Sequence, residues 1–210
     1  MADKQPARQL TEAEQRRTEN YERITAQMED EGWRRTALTV DMRQANVFAL
    51  TVGGALCVPF LVAFFAVNGL YFGPSILEAI LFLALYLMLI PVHEGIHGLV
   101  WGALAPGHFR SIDFGFMKET LTPYCTCTQP MARGRYFAGC LAPLVVLGLI
   151  PSVAGIVLDC GMALGLGLLM IVGAGGDMLI SWELLKYGRH GRDQVCLDHP
   201  SECGLAVFER

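Results

Sequence analysis

The sequence is short of charge. Only 17% of its 210 residues are Asp, Glu, Lys or Arg, against about 25% in an ordinary soluble domain. Two apolar runs, 46–67 and 136–158, contain no charged residue at all. A formal net charge of −4, mixed evenly in sign, gives no footprint for nucleic acid. A polar segment of about 45 residues stands ahead of the first apolar run, so no cleavable secretory signal is expected. The seven cysteines form no regular framework and several lie inside apolar runs, which argues against a disulfide scaffold. No internal repeat or low-complexity tract is visible.

What is present instead is hydrophobic length, with 53% apolar residues. Four segments, near 46–67, 77–104, 136–158 and 162–185, reach the roughly 20 residues that cross a bilayer. The fold class expected is an all-α integral membrane protein with four transmembrane helices. Period-two alternation in "IDFGFM" and in "TPYCTC", on either side of "KET", predicts a short cytoplasmic β-hairpin over 109–128, between spans two and three. The expected organisation is a cytoplasmic helical segment over 1–45, a four-span membrane unit over 46–187 and a cytoplasmic tail over 188–210. Within the first segment a solvated helix is predicted around 11–31.

All 16 Lys and Arg fall in three segments. Eight precede the first span, four lie between spans two and three, and four follow span four. The short external loops have none. With four spans those three segments share one side, which the positive-inside rule makes cytoplasmic. The expectation is a multi-pass protein of the cell membrane, both termini inside, with the lipid bilayer as its surroundings.

Charge inside a span is the informative exception, since intramembrane ionisable groups default to function. The second span contains "IPVHEGIHGLVWG", residues 90–102. His93 and His97, four apart, share a helix face, and Glu94 lies beside them. Two imidazoles at this spacing suit one Zn2+ ion, and the carboxylate between them can take a proton from an attacking water. This is the H-E-x-x-H arrangement of zinc peptidases. A third ligand is needed, and Asp177 in "IVGAGGDMLISW" is the acidic residue in the interior of another span. At 1.5 Å per residue, His93 lies about 24 Å and Asp177 about 22 Å from the external ends of their spans, so the depths match. Gly95, Gly98, Gly173, Ala174, Gly175 and Gly176 are expected to let the two helices approach closely. Glu183 competes as third ligand but lies six residues nearer the cytoplasm and reads better as an interfacial charge, as do Glu78 and Asp159 at external ends. Tyr124, Cys125, Cys127 and His199 are candidates for substrate contact or for supporting the ligands. The bland alternatives are loop cysteines packed against the membrane face and a turn histidine beside Pro200.

The segments "DMRQAN", "HEGIH", "LTPYCTC", "GRYFAGCLAPLVVLGLIP", "GAGGDMLISWELLK" and "LDHPSECG" together resemble a bacterial membrane family of zincin peptidases, otherwise a domain family of unknown function. The resemblance runs from about residue 30 to 205, leaving out the first 30 residues. More distantly the layout is similar to site-2 proteases, which cut peptide bonds at or within the membrane and carry an aspartate as third zinc ligand. The resemblance implies a zinc-dependent endopeptidase with Glu94 as base, zinc on His93, His97 and Asp177, and a membrane or membrane-associated protein as substrate. The rival expectation is a zinc sensor or scaffold that performs no hydrolysis. A transporter is disfavoured by four spans without inverted repeats.

Overall fold

The computed structural model describes residues 11–69, 73–117, 122–188 and 193–210. The "KET" turn at 118–120 and the basic residues Lys4, Arg8, Lys118, Arg189 and Arg192 lie outside the described residues. The chain is mostly helical. Among the described residues, three helices are long and apolar enough to cross a membrane: Met42–Asn68, Ile76–Leu104 and Arg133–Val157. The fourth expected span is a pair, Gly161–Gly173 and Gly175–Tyr187, bent by 47° at the break.

The second long helix, which carries the histidine motif, starts at a capping box. Ser75 Oγ accepts from the Glu78 amide at 3.3 Å while Glu78 Oε2 accepts from the Ser75 amide at 2.8 Å. Glu78 therefore closes a helix end, satisfying amides that have no partner within the helix. The helix runs without interruption through Pro91 to Leu104. Its outer side chains, such as Leu83, Leu87, Met88 and Leu99, are 55–61% exposed, the surface a spanning helix turns to lipid. The first and third helices each contain a π-helical stretch, Ala49–Gly53 and Leu144–Leu149.

The all-α expectation needs correction, because strands account for more than the hairpin. The hairpin itself is present, β2 (Ile112–Met117) pairing antiparallel with β3 (Thr122–Cys127) so that Phe114 faces Cys125 and Gly115 faces Tyr124. A second sheet has the order β1-β6-β5-β4. It joins β1 (Arg34–Thr39), β4 (Met131–Ala132), β5 (Gln194–Asp198) and β6 (Gly204–Glu209), all antiparallel. The segments before the first span and after the last thus meet as neighbouring strands, Arg34 opposite Glu209 and Thr39 opposite Gly204.

Alternation along β6 explains where this sheet sits. Leu205 and Val207 join a buried cluster with Trp101, Tyr136, Cys140 and Leu184 of the long helices. Ala206 and Phe208 point the other way, into a cluster with Tyr21, Ile24 and Met28 of the N-terminal helix Glu12–Asp30. A strand whose side chains alternate faces is here covered on both, and each large apolar group so buried stabilises by roughly 1.5–3 kcal/mol. The sheet is therefore wedged between the N-terminal helix and one end of the long helices. Arg133 fastens that end: its guanidinium donates to the Leu184 carbonyl and to Gln194 Oε1, both at 2.6 Å, and to the Gly188 carbonyl. It thereby satisfies carbonyls at the C-terminus of helix Gly175–Tyr187, which the helix leaves open.

Candidate metal centre

His93 and His97 stand one turn apart on the motif helix with ring centroids 4.9 Å apart. Asp177 reaches them from the first turn of helix Gly175–Tyr187. That turn exists because the chain bends at Ala174 (φ −78°, ψ 12°), between glycines of weak helix propensity. Gly175 packs directly on Ala49 of the first long helix, where any Cβ would overlap. The new helix begins there, and its N-terminal dipole favours a carboxylate at Asp177.

Three distances define the cluster. His93 Nε2 is 3.1 Å from Asp177 Oδ2, His97 Nε2 is 3.4 Å from Asp177 Oδ1, and the two Nε2 atoms are 3.2 Å apart. A tetrahedral zinc ion with ligands near 2.0–2.1 Å has ligand-to-ligand edges of about 3.3 Å. The donor set fits such an ion, and no other group of three His, Cys, Asp or Glu donors gathers this way among the described residues.

The proton arrangement supports the same fit. His97 Nδ1–H donates to the Gly139 carbonyl at 2.9 Å, so in the neutral ring Nε2 carries a lone pair. That lone pair points at Asp177 Oδ1 and His93 Nε2. One proton on His93 Nε2 satisfies Asp177 but leaves His97 Nε2 facing a carboxylate oxygen. A divalent cation satisfies all three, and three protein ligands leave a fourth position open, as catalytic zinc sites do.

Glu94 stands beside this cluster, partly buried and within electrostatic reach of both histidines and Asp177. The backbone amide of Cys125 faces it from β3. The hairpin is thus part of the site's wall. Its apolar face, Ile112 and Phe114, lies over Gly98 of the motif helix, where a Cβ would overlap the Phe114 ring.

The expected glycine seam is differently arranged. Gly98 accommodates Phe114 and Gly175 accommodates Ala49, while Gly95 and Gly176 have no neighbour within 4 Å of a Cβ position. The motif helix is instead gripped by the third long helix. The indole of Trp101 occupies the space over Gly139 and donates from Nε1 to the Tyr136 carbonyl at 3.0 Å. The same indole stacks on His97, centroids 4.9 Å apart and planes at 20°.

Of the other residues singled out, Glu183 is not in the cluster and pairs with Lys186 at 2.7 Å. Tyr124 faces the N-terminal helix, where the Arg17 guanidinium lies 4.5 Å from its ring centre. Cys125 and Cys127 are free thiols packed against the buried helical cluster. Burial pushes the Cys127 thiol up to about 11 and raises that of Cys125. Neither belongs to a group of three donor atoms close enough to share an ion among the described residues. His199 sits in the β5–β6 turn, its Nδ1 accepting the Glu202 amide at 2.9 Å.

The neighbour of His199 matters more. Asp198 accepts from the Tyr136 hydroxyl at 2.6 Å, the Cys127 amide at 2.7 Å and the Thr126 hydroxyl at 3.3 Å. It ties strand β5 at once to the hairpin that faces Glu94 and to the helix that holds His97 and Trp101. Its signal in the sequence was an acid closing the otherwise apolar run "VCL", beside the histidine that drew attention.

Long apolar helices enclosing a His–His–Asp cluster define a helical protein of multi-pass membrane type with a candidate zinc centre. The chain belongs to the family described as "Putative zincin peptidase", whose model matches residues 86–190. That half of the chain contains the histidine-bearing part of the motif helix, the hairpin, the third long helix and the bent pair with Asp177. No curated protein and no solved structure matches the sequence.

Proposed function

We propose that this protein is a membrane-embedded zinc endopeptidase acting on membrane or membrane-proximal protein substrates near the cytoplasmic face. The observation that carries the reading is the triangle of His93, His97 and Asp177 donor atoms, 3.1–3.4 Å on a side, with Glu94 beside it. Zinc bound there would supply a Lewis acid that makes water more acidic and polarises the scissile carbonyl. Glu94 takes the proton from the attacking water and passes it to the leaving amine. His97 is held in one tautomer by the Gly139 carbonyl, and the Trp101 indole shields its face from water.

The N-terminal helix and both sheets gather at one end of the long helices, in keeping with a common cytoplasmic side. The hairpin offers the free edge of a two-stranded sheet, along which an extended peptide could add as a strand once a helical substrate has unwound. A zinc sensor or scaffold would use the same three ligands but would need no carboxylate beside them, which favours hydrolysis.

The test replaces Glu94 with Gln, measures bound zinc and follows cleavage of a membrane-tethered reporter. Zinc stays at one equivalent and cleavage falls ~10²–10⁴-fold, the usual contribution of a positioned general base. Unchanged cleavage with zinc retained removes Glu94 as base.

A further inference from the structure

The hairpin and the N-terminal helix border a cavity of about 470 Å³. Arg16, Arg17 and Arg23 line it from the helix, with Asp113, Phe114 and Tyr124 opposite. None of the three arginines forms an ion pair among the described residues. Three cations against one carboxylate leave the lining with an excess of two positive charges. Arg17 lies over the Tyr124 ring, its Nε buried and without a hydrogen-bond partner among the described residues. The Tyr124 ring in turn occupies space that a Cβ on Gly115 would fill. Asn20 anchors the helix by donating to the Thr128 carbonyl at 2.9 Å, and its Oδ1 accepts from Arg23 at 2.8 Å. Two of the guanidiniums are thereby held in place, one by stacking and one by a hydrogen bond.

The cavity's surroundings indicate what it takes. Phe114, one of its walls, is 61% exposed and lies over Gly98 of the motif helix. Phe109, 59% exposed, covers Gly102 one turn further on, and Leu99 of the same helix is 61% exposed. A lipid-facing apolar flank thus runs directly into an arginine-lined cavity. Arginine forks match phosphate oxygens, and the apolar flank matches acyl chains.

We propose that this cavity binds the phosphate of an anionic membrane lipid, whose chains lie along Phe109, Phe114 and Leu99. The site is separate from the metal centre and does not depend on peptide hydrolysis. Lipid bound there would brace the N-terminal helix against the hairpin.

The test uses the full chain in detergent micelles carrying phosphatidylglycerol, phosphatidylcholine or no lipid, with bound lipid read by native mass spectrometry and by the shift in unfolding temperature. One phosphatidylglycerol per chain is retained, and phosphatidylcholine binds at least ~10-fold more weakly. Each basic residue at a membrane surface contributes about fivefold in affinity, so R16Q/R17Q/R23Q weakens phosphatidylglycerol binding about a hundredfold. D113N, which removes the opposing charge, tightens it by about fivefold. Equal binding of the two lipids, an unchanged affinity in the triple variant, or no gain in D113N overturns the proposal. So does saturation by inorganic phosphate at the lipid's own affinity, which would mark a free-anion site. If the triple variant fails to fold, D113N decides alone.

Discussion

Asp177 and Asp198 approach His97 from different regions of the molecule. Asp177 stands at a helix start among the long apolar helices and places its oxygens 3.1 and 3.4 Å from the two imidazole nitrogens. Asp198 stands in the sheet at their end and touches neither histidine. It reaches His97 through Tyr136, whose carbonyl holds the Trp101 indole that stacks on His97. It reaches Glu94 through strand β3, accepting from the Cys127 amide two residues along from the Cys125 amide that faces Glu94. The bundle supplies donor atoms and the sheet fixes where they point. Imidazoles and carboxylates that bind metal depend on outer groups for orientation in just this way.

The comparison predicts unequal losses. Asp177→Asn removes the anionic donor and leaves two neutral imidazoles facing an amide. The purified protein should then retain no stoichiometric zinc after dialysis, and reporter cleavage should vanish. A variant that still holds one equivalent of zinc would transfer the third-ligand role to another residue.

Asp198→Asn keeps the volume but replaces one acceptor oxygen with a donor, setting NH2 against either the Tyr136 hydroxyl or the Cys127 amide. Zinc should still bind, with affinity reduced ~10–100-fold, the usual cost of losing an outer-shell partner. Tyr136→Phe, which deletes only one of the three bonds, should lose less. Should Asp198→Asn instead lose zinc as completely as Asp177→Asn, the sheet would have to be counted part of the ligand set. The proportion of zinc bound across a chelator series separates the two outcomes.

The two regions were also unequally legible in the sequence. Hydropathy located the long helices to within a few residues, because burial in lipid imposes length and composition on a local stretch. The bend at Ala174 was not seen as a bend: a run of glycines in an apolar span signals close packing and weak helicity alike. The His93–His97 pair is legible in helical spacing, and Asp177 as the acidic residue in the interior of another span at matching depth. The four-stranded sheet could not be read in the same way. Its strands come from residues 34–39, 131–132, 194–198 and 204–209, and pairing across such distances leaves no local period. Asp198 was hidden with it, since its partners Tyr136 and Cys127 lie 62 and 71 residues away in sequence.

The smallest expected effect lies next to Asp198. His199 Nδ1 accepts the Glu202 amide at 2.9 Å and the Ser201 amide at 3.4 Å, while its ring meets Tyr21 edge-on at 5.3 Å. Only the neutral ring has a lone pair to offer. Burial lowers its pKa, with Glu202 pulling it up and Arg35 pushing it down. The unfolded chain takes up a proton at the ordinary histidine value near 6.5, before the folded chain does. Stability from this turn is therefore complete above about pH 6.5 and declines as pH falls below it, until the folded group also titrates. Hydrogen exchange at the Ser201 and Glu202 amides should speed up, relative to the chain as a whole, between about pH 7 and 5.5. His199→Asn, which keeps an acceptor but cannot protonate in this range, should flatten that dependence. If Asp198 positions the site through β5, zinc affinity in the wild type should weaken slightly more steeply with acid than in His199→Asn. Identical profiles would show that the turn holds the strand end without transmitting anything to Asp198.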